Sequence, residues 1–233
     1  MIRINNLTKK YSGTTVLDIP SLEIKKGESF GLVGNNGAGK TTMFRCILDL
    51  IRPNSGSVES KDEKVSGSED WKIYTGSYLD DGFLIDFLTP EEYFKFVADV
   101  YGLQDGDLEQ FYKDFGEFFN NEILGKKKLI REMSSGNPQK IGIAAALLPK
   151  PEILVLDEPF NSLDPSTQIR LKNLLKKLKS EEQMTMLISS HDLNHVTEVC
   201  ERIVILHEGK IVQDKITGKE TLKELEEYFA VNN

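Results

Sequence analysis

The stretch Gly34-Asn35-Asn36-Gly37-Ala38-Gly39-Lys40-Thr41 constrains this chain more than any other. It fits the pattern G-x-x-x-x-G-K-[ST]. The apolar run Ser29-Phe30-Gly31-Leu32-Val33 precedes it and reads as a buried strand, and a helical pattern from Lys40 to Leu50 follows it. A strand that turns through glycines into a helix aims successive backbone N–H groups, and the positive end of the helix, at one point. A phosphate chain fits there. Lys40 supplies a cation for β- and γ-phosphates, the Thr41 hydroxyl supplies a ligand for Mg²⁺, and Thr42 extends the polar rim. A flexible glycine loop ahead of a helix is the bland alternative, and the buried strand and the Lys-Thr ending speak against it.

The rest of the chain alternates in the same way. Short strands are expected at Ile2 to Ile4, Thr15 to Ile19 and Leu22 to Ile24, and another at Ser57 to Glu59. From Thr89 to about Leu129 the pattern turns helical and rich in aromatics, among them Tyr93, Phe94, Phe96, Phe111, Phe115 and Phe119. Strands then return at Ile153 to Leu156, Met184 to Ser189 and Arg202 to Leu206. Helices are expected from Asp164-Pro165 to about Ser180, from Asp192 to Cys200 and from Thr221 to Ala230. This order predicts an α/β fold with a mostly parallel sheet covered by helices. A small antiparallel β subdomain and a helical subdomain at about 81–130 complete one domain spanning 1–233.

Charge and hydropathy exclude some roles. A net charge of -8 argues against a general nucleic-acid binder. The longest apolar run, about Ile143 to Leu148, is far short of the ~20 residues that a membrane helix needs. The opening Met1 to Asn6 lacks the apolar stretch of a signal peptide. Cys46 and Cys200 show no metal or redox spacing and read as small buried residues in a reducing compartment.

A second nucleotide signal is Ile153-Leu154-Val155-Leu156-Asp157-Glu158-Pro159, where a buried strand ends in two carboxylates. In open α/β sheets ligands sit at the carboxyl ends of strands. Asp157 there suits Mg²⁺, and Glu158 suits polarising an attacking water. With the glycine-rich loop, Met133 to Gln139, Ser162-Leu163-Asp164 and His191, these residues resemble the ATPase subunits of ATP-binding-cassette (ABC) transporters along essentially the whole chain.

The resemblance implies ATP and Mg²⁺ as ligands, with Glu158 and His191 catalytic. It places Gly34, Asn35, Asn36, Gly37, Ala38, Gly39, Lys40, Thr41 and Thr42 on the phosphates and Tyr11 against adenine. Ser134, Gly136 and Asn137 would reach the γ-phosphate held by a second subunit, in a homo- or heterodimer. Thr41, Asp157 and Asp81 would serve the metal. Two departures stand out. The family's Leu-Ser-Gly-Gly-Gln is here Met133-Ser134-Ser135-Gly136-Asn137, and the glutamine loop is replaced by Tyr78-Leu79-Asp80-Asp81. The resemblance further implies a separate transmembrane permease, docked on the helical subdomain, and a cytoplasmic position on the inner face of the cell membrane. The segment Leu88-Thr89-Pro90-Glu91-Glu92-Tyr93 with Val100-Tyr101-Gly102 is similar to exporters of drugs, peptides or bacteriocins. The competing readings are a soluble ABC ATPase acting on nucleic acid or ribosomes and a regulatory nucleotide-binding module.

Overall fold

The computed structural model describes residues 1–231, apart from the side chains of Glu182 and Val231. The chain opens with a long hairpin of β1 (Ile2–Tyr11) and β2 (Thr14–Ile24), then enters β3 (Ser29–Val33) and α1 (Lys40–Ile47). β4 (Ser55–Ser60) and β5 (Glu63–Lys64) return to the hairpin and complete an antiparallel sheet in the order β2-β1-β4-β5. The short helix α2 (Asp70–Ile73) leads into β6 (Thr75–Tyr78).

Helices α3 (Pro90–Val100), α4 (Asp105–Asp114) and α5 (Gly116–Phe119) follow, and then α6 (Gly136–Leu147). The last part alternates: β7 (Ile153–Leu156), α7 (Pro165–Glu182), β8 (Thr185–Ser190), α8 (Leu193–Val199), β9 (Arg202–His207), β10 (Lys210–Ile216) and α9 (Thr221–Val231). The second sheet runs β10-β9-β3-β8-β7-β6. Within it β9, β3, β8, β7 and β6 are parallel, and β10 is antiparallel at the edge. The expected class is therefore the observed one.

Local chemistry sets the helix starts. Thr89 caps α3 in a capping box with Glu92, and Pro90 occupies the first helical position. The carboxylate of Asp164 accepts from the N–H groups of Ser166 and Thr167 ahead of α7, and Asp192 accepts from that of Asn194 ahead of α8. The strands β3, β7 and β8 are buried at every position, as parallel strands covered on both faces must be.

Two apolar clusters hold these layers together. One joins the antiparallel sheet and α1 to one face of the parallel sheet. The other joins α3, α4, α5 and α6 to the opposite face. In the second, Phe94, Phe111, Phe115 and Phe119 are buried, with neighbouring ring centroids 4.6–6.0 Å apart. Most of the aromatic stripe is thus core, while Phe96 and Tyr101 lie at the surface. Cys46 and Cys200 are buried free thiols.

Several boundaries move. The separate short strands expected in the first 24 residues are two long ones, and α1 stops at Ile47. The strand β6, on which no apolar run falls, lies at the edge of the parallel sheet beside β7.

Candidate nucleotide site

The strand order places the site. β3 lies between β8 and β9, and β7 lies beside β8. In register, Val33 faces Ser190 and Leu156 faces Ile188. The glycine-rich loop, the Asp157-Glu158 pair and His191 therefore emerge side by side from the carboxyl ends of neighbouring strands.

The loop needs glycine at two points for different reasons. A Cβ on Gly34 would collide with the carbonyl of Leu206 on β9. Gly39 sits at a φ of +107°, and a Cβ there would lie 2.8 Å from the carbonyl of Val16. Both positions press the loop against its neighbours, where a side chain has no room. Asn35, Asn36 and Gly37 are exposed, Ala38 is buried, and Thr41 and Thr42 are half-buried at the first turn of α1.

Lys40 is only 5% exposed. Its ammonium donates to Gly34 O at 2.6 Å and to Asn35 O at 3.4 Å, and lies 3.1 Å from Glu158 Oε1. Among the described residues Glu158 Oε1 has no hydrogen-bond partner, and the Lys40 ammonium is the charge it faces. Glu158 Oε2 accepts from the His191 backbone N–H at 3.3 Å and lies 2.9 Å from His191 Nδ1.

Asp157 is buried, and Ser189 Oγ donates to it while also accepting from the Glu158 N–H at 2.9 Å. Burial pushes the Asp157 carboxyl above its ordinary range, although hydrogen bonds from Ser189 and Thr41 pull the other way. A buried carboxylate in contact with the Thr41 hydroxyl is a donor pair for a small hard cation. Among the described residues no group of three or more His, Cys, Asp or Glu side chains could hold a metal. Phosphate oxygens would have to complete the shell, as Mg²⁺ in phosphate sites allows.

Asp81 Oδ1 accepts from the Tyr78 hydroxyl at 2.6 Å, whereas Asp80 caps Gly82 and lies 3.5 Å from Arg45. Tyr11 ends β1 with its ring 45% exposed and the Lys9 ammonium 5.0 Å from the ring centre. At the start of α6, Ser134 is exposed, Gly136 half-buried and Asn137 buried. Two further residues join the site to which the sequence assigns no role: Ser189, the last residue of an expected strand, and Gln139, the last of the Met133 to Gln139 segment. Gln139, buried on α6, donates to Pro159 O at 2.6 Å. Nothing in its neighbours signals that reach across sequence.

The ABC transporter family pattern matches residues 17–161. The lantibiotic transport ATP-binding protein SrtF of Streptococcus pyogenes is 34% identical over 97% of this chain and 95% of its own length. The bacitracin transport ATP-binding protein BcrA of Bacillus licheniformis is 34% identical over 92% of this chain and 69% of its own. Among solved structures, the post-hydrolysis dimer of the ATP-binding cassette MJ0796 with ADP and Pi aligns at a TM-score of 0.84. It is 26% identical and covers 94% of this chain and 100% of that one.

Proposed function

The chain belongs to the ABC transporter ATPases, which bind and hydrolyse ATP, and from that premise we propose that it powers an exporter of drug, peptide or bacteriocin type as the ATPase beneath a separate membrane permease. The observation that carries the hydrolytic part is the convergence of Lys40, Asp157, Glu158 and His191 on one spot, with Glu158 held between Lys40 and His191. We assign Gly34 to Thr42 to the phosphates and Tyr11 to the adenine face. Ser134 and Gly136 face the nucleotide of a second cassette. Asn137 is buried and acts by shaping that helix start.

Mg²⁺ fits Asp157 and Thr41 and would neutralise phosphate charge there. Asp81 is kept as a further candidate for the metal: the Tyr78 hydroxyl donates to its Oδ1, and a carboxylate has a second oxygen to offer a cation. Glu158 accepts a proton from water as the water oxygen attacks the γ-phosphorus. The bond from that phosphorus to the β-phosphate oxygen breaks, leaving ADP and phosphate. Lys40 Nζ lies 3.1 Å from this carboxylate, so the same ammonium can serve either Glu158 or the phosphates. Incoming phosphates compete for Lys40 and free Glu158 Oε1 for water.

Two features support a membrane partner. Relatives are named for lantibiotic and bacitracin transport. A groove of about 250 Å³ also opens between β6, α3 and α6, lined by Leu50, Phe83, Tyr93 and Tyr101, with Leu50 and Phe83 about half exposed; Phe87, four residues after Phe83, is exposed as well. Among the described residues no helix is long and apolar enough to cross a membrane. In this reading the chain works on the cytoplasmic face of the cell membrane, paired with a second cassette.

Purification from detergent-solubilised membranes tests this. A multi-span membrane protein is expected to travel with the chain, and Phe83→Asp with Phe87→Asp should release it while ADP affinity stays unchanged. Recovery of the chain with ribosomes and with no membrane protein would favour the soluble reading.

A further inference from the structure

Glu158 does not sit in ordinary backbone. Its φ is +48°, and Ser162, four residues on in the same turn, has a φ of +59°. Non-glycine residues hold this left-handed conformation only where their surroundings over-determine it. Two glutamine side chains from two helices supply the restraint. Gln139 Nε2, on α6, donates to Pro159 O at 2.6 Å and to Glu158 O at 3.4 Å. Gln168 Nε2, on α7, donates to Phe160 O at 3.0 Å. Both Gln139 contacts are carbonyls, so only its NH₂ can face the turn. The side chain is 5% exposed, and water has little access to replace it. From the other side, Ser189 Oγ accepts from the Glu158 N–H. The peptide that carries the carboxylate is thus gripped on both flanks.

Gln139 also belongs to the helix that begins with Ser134–Asn137. Gly136 at that start packs so closely that a Cβ would lie 2.9 Å from Ser162 O. One short helix therefore touches both ends of the turn, at Pro159 through Gln139 and at Ser162 through Gly136.

We propose that Gln139 is a positioning residue for hydrolysis: it holds the left-handed Glu158 turn from the signature helix and so keeps the carboxylate aimed at the water. The claim rests on the reading of Glu158 as the water-activating group. It adds a physical link within one subunit. The helix start directed at one nucleotide is tied by an amide to the carboxylate that serves the other. Movement of the helix on closure is passed to Glu158 through that bond.

The test uses the full chain and four proteins: the parent, Gln139→Met, Glu158→Gln and the double variant. Methionine keeps the length and volume and removes the donor. Measured are single-turnover ATP hydrolysis, KM for ATP and the dissociation constant for ADP. Gln139→Met should lower the hydrolysis rate by about tenfold to a hundredfold, the scale of a small misplacement of a reacting group. KM and ADP affinity should stay within about twofold, because the phosphate loop is untouched. In the Glu158→Gln background the same change should have almost no effect, since its target is already gone. A merely structural role would lower ADP affinity as well, or slow both backgrounds by the same factor. Either result overturns the proposal, as does a parental rate in Gln139→Met. A parental rate in Glu158→Gln would instead remove the reading beneath it. If Gln139→Met does not fold, judged by loss of ADP binding and of a cooperative melt, Gln139→Asn takes its place. It keeps the amide and withdraws it by one carbon, and the same outcomes apply.

Discussion

Replacing Glu158 by Gln preserves size and removes both charge and basicity, and the structure gives it two opposite effects. The first is on chemistry. A positioned base contributes ~10²–10⁴-fold, so hydrolysis should fall by about that factor. The second is on binding. Lys40 Nζ lies 3.1 Å from Glu158 Oε1, with the side chains 5% and 19% exposed. At an effective dielectric of about 20 the attraction is on the order of 5 kcal/mol before desolvation is subtracted. Desolvation of two nearly buried charges removes most of it, leaving about 1–2 kcal/mol that phosphates must overcome to recruit Lys40. The variant has no such latch, so ATP should bind about 5- to 30-fold more tightly. With hydrolysis blocked, the ATP–Mg²⁺ form should run as a dimer in gel filtration and the ADP form as a monomer, the partner cassette being added if the pair is heteromeric. Single-turnover hydrolysis and equilibrium titration with labelled ATP read the two effects separately. Turnover within a few-fold of the parent refutes the catalytic assignment. Unchanged or weaker ATP affinity refutes the latch.

Tyr11→Ala should weaken nucleotide binding by ~1–3 kcal/mol, and ATP and GTP alike, because stacking reads a ring face; equal dissociation constants for parent and variant would return Tyr11 to the surface. Asp164→Ala removes an acceptor of the Ser166 and Thr167 N–H groups and of both hydroxyls, and should cost about 1–2 kcal/mol in urea unfolding with no change in slope. Burial, opposed by Asp192 and Glu198 and aided by Lys172, holds His195 below its usual range where it stacks 4.4 Å from Phe160. A lowered folded value means the unfolded chain binds the proton first, so stability is present above about pH 6.5 and is lost as pH falls below it. His195→Phe should therefore lose less stability than the parent between about pH 7 and 5 in urea melts, and parallel pH curves would sink the idea.

The sequence showed those features whose physics is local. The run from Ser29 to Val33, the glycines after it and the Lys-Thr ending dictate strand, turn and helix within a few residues. Thr89, Asp164 and Asp192 announce helix starts because a cap bonds its own next turn. Non-local causes were hidden. The short strands expected at Thr15 to Ile19 and Leu22 to Ile24 are one strand, and β2 runs straight through Pro20. That strand is a sheet edge, where a missing N–H costs nothing. The strand β6 carries Thr75, Gly76 and Ser77 instead of an apolar run. A Cβ on Gly76 would collide with the Ala146 carbonyl of α6, so the helix backbone itself fills the space a side chain would take. The Lys40–Glu158 pair and the reach of Gln139 depend on strand order, which no local pattern encodes.

The departures from the family's signature follow from the same distinction. At the first of the two glycine positions this chain has Ser135, with φ of -52° and ψ of -31°. That is right-handed helical backbone, which any L residue adopts freely, so a side chain costs nothing there. At the second position glycine is kept, and a Cβ on Gly136 would lie 2.9 Å from the Ser162 carbonyl. The constraint therefore comes from the approach of Ser162 and not from the dihedral angles of the loop. Asn137 is buried at the start of α6 and its N–H donates to Ser134 O at 2.9 Å, which closes the turn that presents Ser134 to solvent. Pro138 stands within the first helical turn, where its missing N–H has no intrahelical acceptor to lose. What the segment preserves is an exposed hydroxyl at the start of α6, packed by Gly136 against the turn that displays Glu158. A Ser for Gly exchange at position 135 leaves each of those elements in place.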